Sequence, residues 1–269
     1  PPVDLDKQFC KVSIEDFISD KQTEFNIYIR ISESKYIRIA HKGGKISEER
    51  IHSYKEKGIH YVYIDKDDFS RLIGFNLQVA KIVKESDRVS PEKKLSFMKY
   101  TSDLVLESAF VKGVDEESFR NASDFLNTSM NVMTEDKQSF EILGMLSTHT
   151  DYLYGHSLGV STFAVMIAKE MGFHSSQTLF KLAFGGLFHD VGKKEISKDL
   201  LDKPRPLLTQ VERNLIETHP TRGKEILEAL RMAPSEAIAI AYEHHEDPLG
   251  QGFPRRISQL QIHPLSKIV

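Results

Sequence analysis

The spacing of apolar residues changes period along the chain, and that change divides it. Phe25, Ile27, Ile29 and Ile31 fall at every second position, the period of a half-buried strand. A second short strand is predicted over Tyr36 to Ala40. Gly43-Gly44 then breaks the chain, a helix is expected from Ser47 to Lys57, Gly58 stops it, and His60 to Ile64 forms another β-rich run. Beyond the polar stretch Lys84 to Lys94, which contains Pro91, apolar residues move to helical spacing. Leu95, Met98, Val105 and Ala109 make one stripe, and Phe119, Ala122, Leu126, Met130 and Met133 make the next. Similar runs at Phe140 to Leu146, His156 to Met171, Thr178 to Phe188 and Thr209 to Leu230 make the rest of the chain mostly helical. The expected fold class is α+β. A small N-terminal α/β domain of regulatory or sensory type spans residues 1–88, and an all-helical domain spans 89–269.

Length and composition narrow the function classes. At 269 residues the chain can bury two cores without disulfide staples, and its single cysteine, Cys10, fits a packing role in a reducing cytoplasm. With 36 basic against 39 acidic residues, spread rather than blocked, the charge of −3 does not call for duplex nucleic acid. No apolar stretch reaches the ~20 residues of a membrane span, so the expected location is cytoplasmic. The sequence opens on Pro1 rather than Met, as a fragment of a longer chain would.

Chemistry concentrates in the last 120 or so residues, roughly. His41, His52 and His60 lie in the N-terminal region without a carboxylate pattern and read as surface or packing residues. Five of the eleven histidines stand in more distinctive settings: His156 in YGHSLGV, His189 beside Asp190 in FHDVGKK, His219 in ETHPTRG, and the pair His244-His245 followed by Glu246 and GQGFP. One isolated histidine on a helix is more often hydrogen-bonded structure than a ligand. Intervals of 33, 30 and 25 residues from His156 to His189, His219 and His244, one set per helix-sized segment, are hard to explain by packing. Imidazole nitrogen and carboxylate oxygen suit first-row divalent metals, and Asp190 could bridge two ions. Adjacent residues on a helix point ~100° apart. His189 and Asp190 can therefore share a site only near a helix end, and Gly192 is consistent with such an end. The HExxH motif is absent, and one cysteine cannot build a thiolate site.

Together, His156, the His189-Asp190 dyad with Lys193, His219-Pro220, His244-His245-Glu246 and Gly252-Phe253-Pro254 resemble the HD-GYP family over about Thr150 to Val269. The resemblance implies a helical HD-type domain and a binuclear or trinuclear iron or manganese centre. It also implies hydrolysis of cyclic di-GMP to linear pGpG or GMP by a metal-activated hydroxide. Carried over, His156, His189, Asp190, His219, His244 and His245 would be metal ligands, with Asp190 bridging. Lys193 would touch substrate phosphate, and Phe253 would pack or stack on a base. The family loop reads HHExxDGxGYP where this chain reads HHEDPLGQGFP, so Leu249 and Phe253 replace an aspartate and a tyrosine. Tyr152 stands where some members carry a glutamate that recruits a third metal, which favours two ions. A further family aspartate would lie a few residues past Val269. Three functions stay open: a cyclic di-GMP phosphodiesterase; an inactive signalling module that binds a nucleotide or a partner such as a GGDEF-type diguanylate cyclase; and an HD-type hydrolase acting on another phosphoester.

Overall fold

The computed structural model describes residues 8–14, 22–32, 35–133 and 152–269, with the side chains of 131–133 and 152 left aside. The expected helical run Phe140 to Leu146, the side chain of Met133 and the side chain of Tyr152 therefore lie outside the described residues.

Four strands form an antiparallel sheet in the order β1-β4-β2-β3. They are β1 (Phe9–Ser13), β2 (Ile27–Ser32), β3 (Lys35–Ala40) and β4 (Tyr61–Asp65). Period two holds at Ile27 and Ile29, which are buried, but fails at Ile31, which is 57% exposed at the end of β2. Helix α1 (Glu48–Glu56) begins where Ser47 accepts a hydrogen bond from the Arg50 N–H, and it carries one inward residue, Ile51. His41, His52 and His60 are all exposed, as expected. Cys10 is fully buried in β1, and burial pushes its thiol up to about 12, so it packs rather than reacts.

Asp65 ends β4 and at once caps α2 (Lys66–Glu85), its side chain accepting from the Asp67 N–H at 3.1 Å. After the Ser86–Ser90 turn come α3 (Pro91–Lys112) and α4 (Glu116–Met133). Almost every side of α3 is buried between Tyr100 and Ala109, because it packs against α2, α4, the next helix and β1. Then follow α5 (Tyr152–Glu170), α6 (Ser176–Phe188), a 3-10 segment (Val191–Glu195), and the single turn α7 (Lys198–Leu201). The chain continues with α8 (Gln210–Ile216), α9 (His219–Ala229) and α10 (Ser235–Glu243). One buried apolar cluster runs from Cys10 through Phe125 and Phe184 to Leu265. Glu107 of α3 ties the sheet to the helices, accepting from the Lys11 N–H at 3.2 Å and from the Tyr154 hydroxyl at 2.6 Å.

The run Thr209 to Leu230, expected as one helix, is two. Pro220 has no N–H to continue the ladder, and its ring crowds the carbonyl four residues back. The chain leaves the helix after Ile216 and restarts at His219 with the proline in the first turn. No helix among the described residues is long and apolar enough to cross a membrane.

Candidate metal centre

The break at Pro220 places a ligand as well as a bend. The last carbonyls of a helix have no intrahelical partner. Just past α8, the His219 ring turns back so that Nδ1 meets the Ile216 carbonyl at 2.7 Å. The same device recurs twice. His189 follows α6 and its Nδ1 meets the Gly186 carbonyl at 2.8 Å, while His244 follows α10 and its Nδ1 meets the Ala241 carbonyl at 3.0 Å. A carbonyl can only accept, so each of these nitrogens carries the proton and each Nε2 presents a bare lone pair. Three helix C-termini, the negative ends of their dipoles, thus converge on one place.

Tight packing brings them together. A β-carbon on Gly192 would overlap the His219 carbonyl, so only glycine lets the 3-10 segment lie against α9. At Gly186 a β-carbon would stand 2.8 Å from the Ser161 Cα, so glycine also sets the approach of α6 to α5, the helix that carries His156. Asp190 leaves the helical line just after α6, which lets it face the centre alongside His189.

Asp190 stands between two sets of imidazoles. Its Oδ2 lies 3.2 Å from His189 Nε2 and 3.7 Å from His156 Nε2. Its Oδ1 lies 3.2 Å from His219 Nε2 and 3.6 Å from His244 Nε2. Candidate ligand atoms of Asp190, His219, His244 and His245 fall within 4.8 Å of one another, as do those of His156, His189 and Asp190. All six residues singled out in the sequence are therefore brought together. Lys193 joins them, its Nζ donating to Asp190 Oδ2 at 2.6 Å.

The donor set fits cations. His156 and His189 bring Nε2 atoms to 3.2 Å, and His219 and His244 bring theirs to 3.1 Å. Since Nδ1 holds the proton on both His219 and His244, their lone pairs face each other unless an electrophile, proton or metal, stands between, whereas His156 Nε2 can donate to His189. Asp190 Oδ1 is buried without a hydrogen-bond partner, the orphan that such a cation would satisfy.

Titration points the same way. Burial pushes His244 down to about 4 and His245 to about 3, and burial, then the charge of His189, lowers His156. These rings stay neutral and able to ligate near pH 7. Burial works against ionised Asp190, yet the charge of His189 and the close imidazoles of His189, His219 and His244 hold its carboxyl well below the usual range. A metal cation at that place would favour the ionised carboxylate in the same direction.

The loop after the paired histidines closes over His245. Phe253 stacks on that ring with centroids 4.5 Å apart and planes at 26°, and its N–H donates to the His245 carbonyl at 3.1 Å. Gly252 has no room for a β-carbon against the His245 carbonyl. Leu249, at the place of the family aspartate, is 79% exposed and does not face the centre. Sequence reasoning missed what holds this loop. Glu246 accepts from the N–H groups of Arg255 at 2.7 Å and Ile257 at 3.1 Å. Glu243 accepts from the Arg255 guanidinium and from the His263 N–H, the latter at 2.8 Å. Glu246 stood in the motif, but nothing in the sequence named its partners.

Known proteins with this pattern can now be set beside it. A profile of the HD domain matches residues 133–269. A cyclic di-GMP phosphodiesterase of Thermotoga maritima is 31% identical over 172 residues, covering 63% of this chain and 43% of that protein. A cyclic di-GMP phosphodiesterase of Pseudomonas aeruginosa is 27% identical over 148 residues, covering 55% of this chain and 35% of its own length. A 3'3'-cGAMP-specific phosphodiesterase of Vibrio cholerae is 28% identical over 126 residues, covering 46% and 26%. The chain thus spans less than half the length of these relatives. The solved structure of an HDG"Y"P protein from Bdellovibrio bacteriovorus superposes with a TM-score of 0.73 over 97% of this chain and 84% of that one, at 19% identity, a likeness of fold. The profile match covers half of the chain and contains the whole histidine and aspartate set, so the chain belongs to the HD domain family.

Proposed function

We propose that the chain is a metal-dependent phosphodiesterase that hydrolyses cyclic di-GMP, or a close cyclic dinucleotide, to linear pGpG or GMP. One observation carries the reading: the two oxygens of a single buried carboxylate, Asp190, face two separate groups of imidazoles. Such a set suits two divalent ions, iron first and manganese second, held by His156, His189, Asp190, His219, His244 and His245. When bound, they supply Lewis-acid polarisation of the phosphoryl group and an acidified water. Names of the relatives, which act on cyclic di-GMP or 3'3'-cGAMP, support the substrate class.

The chain's own residues do the rest. Carbonyls fix the ligand rings, so little reorganisation is needed when a substrate arrives. His156, 38% exposed, marks the open edge where a phosphodiester can approach. Lys193 sits at the 3-10 turn beside that edge, and its ammonium can offset charge on a non-bridging phosphate oxygen. Phe253 braces His245 and offers a ring face to a base. Residues 1–88 would form the regulatory part, separable by proteolysis within the Lys84 to Lys94 stretch.

The deciding experiment is turnover of cyclic di-GMP by anaerobically purified, iron- and manganese-loaded protein, with metal counted in the same preparation. Two ions per chain and linear product are expected. Two ions without turnover would favour the second reading, a module that binds a nucleotide or docks a GGDEF-type cyclase. The loop favours that alternative at two positions: Phe253 has no hydroxyl, and Leu249 faces solvent.

A further inference from the structure

Glu107 is buried in α3 and lies outside the proposed ligand set. Burying a polar group is costly unless hydrogen bonds replace those it made to water. Both of its oxygens have them: one accepts from the Lys11 N–H of β1 at 3.2 Å and the other from the Tyr154 hydroxyl of α5 at 2.6 Å. The Tyr154 ring is buried too. It packs against Phe110 of α3 with centroids 5.5 Å apart, and the Lys11 ammonium lies 5.8 Å from its centroid. The opening turn of α5 is thereby fixed to α3 and, through one carboxyl group, to the edge of the sheet.

His156 follows two residues later on the same helix. Positions two apart on a helix point ~200° apart, so Tyr154 faces α3 while His156 faces Asp190 from the opposite side. The rings of His189, His219 and His244 are each oriented by a helix-end carbonyl. His156 rides within its helix, so its approach to Asp190 depends on where α5 is seated. Two hydrogen bonds to neighbouring helices seat it. Ser161 Oγ donates to the Ala183 carbonyl of α6 at 2.8 Å, and Tyr154 donates to Glu107 of α3. They stand on either side of His156 along the helix.

We propose that Tyr154 and Glu107 are positioning residues that set His156 against Asp190 at the open edge of the centre. The inference rests on the metal-centre reading only for what His156 does there, which is to hold an ion. The placement itself rests on the hydrogen bonds.

Heteronuclear NMR of the histidine rings in the metal-free full chain tests the placement. In Tyr154→Phe and in Glu107→Ala the His156 ring signals should shift while those of His219 stay in place. Glu107→Gln should retain the wild-type signals, because its amide can still accept from the Lys11 N–H and donate to the phenol oxygen. Tyr154→Phe keeps the ring itself and carries the test alone if Glu107→Ala does not fold. Chelator competition on the metal-loaded chain tests the consequence. Tyr154→Phe should weaken the less tightly held ion by roughly two- to tenfold, the worth of one hydrogen bond. In a His156→Ala background the same change should alter the remaining ion by less than about twofold, because the ring it acts through is gone. His156 signals that ignore the substitutions, His219 signals that move as far as those of His156, or an equal loss of affinity with and without His156 would each overturn the proposal. Selective movement of His156 in a protein that binds no metal would sink the metal-centre reading and leave the positioning standing. Two bound ions and turnover in a protein whose His156 signals are indifferent to Tyr154→Phe would do the reverse.

Discussion

On one side of Asp190, the side chains of His219 and His244 are 1% and 4% exposed, each pinned to a helix-end carbonyl, and Phe253 covers the neighbouring His245. On the other side His156 is 38% exposed, rides inside α5 rather than at a helix end, and shares Oδ2 with the Lys193 ammonium. The same residue types thus build a closed side and an open side around one carboxylate. A closed, prepaid arrangement holds an ion tightly, whereas an open one leaves room for an incoming phosphate and a lysine that can turn from Asp190 towards it. If the centre works as proposed, the closed side would retain its ion and the open side would meet the substrate.

Removing the shared carboxylate should erase the contrast. For Asp190→Ala we expect metal content to fall from two ions towards none and turnover to drop at least about 1000-fold, on the order of 4 kcal/mol. Tyr152→Phe should keep both ions, and equal metal in the two variants would remove Asp190 from the ligand set. Next, His219→Ala and His156→Ala should each leave one ion, but chelator competition should find the remaining ion held at least about tenfold more weakly in His219→Ala. The reverse order would invert the assignment of the sides.

Acid sharpens the comparison from another direction. The folded-state values of His244 and His245, about 4 and about 3, lie below the ordinary 6.5, so the unfolded chain takes up protons first. Metal-free protein should hold its full share of this stability above pH 6.5, lose it as pH falls from there through 4 towards 3, and lose no more from these groups below. Melting temperatures of chelated protein across that range give the measurement, and a flat profile would mean that neither ring is buried neutral.

The smallest effect belongs to the loop. Phe253→Tyr, by adding one hydrogen-bonding group, should raise cyclic di-GMP affinity or turnover by up to about tenfold, the worth of ~0.5–1.5 kcal/mol. Leu249→Asp alone should change either by no more than about twofold, because that side chain faces solvent. Steady-state kinetics on both variants would separate the positions, and a larger gain from Leu249→Asp would show that the loop moves inward in the working protein.

Much of this was legible in the sequence, for physical reasons that differ by region. Alternation at Ile27 and Ile29 and the helical stripes of α3 and α4 are local signals, and they survive folding. Phe69, Leu72, Ile73, Leu77 and Ala80 after Ile64 carry helical spacing, but no breaker separates α2 from the strand before it, so the helix has no readable start in the sequence. The short β1 has too few residues to show a period, and α10 is scarcely longer than two turns. At the centre, residue types and order disclosed the candidate ligands. Their division into two sides, the stacking of Phe253 and the hold of Glu243 on Arg255 depend on pairings that the chain makes only when folded.

The carbonyls that steady His189, His219 and His244 belong to Gly186, Ile216 and Ala241, and a carbonyl is present whatever side chain its residue bears. A side-chain change at Ile216 or Ala241 leaves the carbonyl itself in place, provided the helices still end where they do. The loop that carries Phe253 is held differently, by the carboxylates of Glu243 and Glu246 and by the Arg255 guanidinium, each of which a single codon change can remove. Heritable variation in such a molecule therefore has an uneven cost. The backbone hold on the candidate ligand rings depends on fewer side chains than the hold on the loop beside them, and that loop is where Leu249 and Phe253 depart from the HD-GYP pattern.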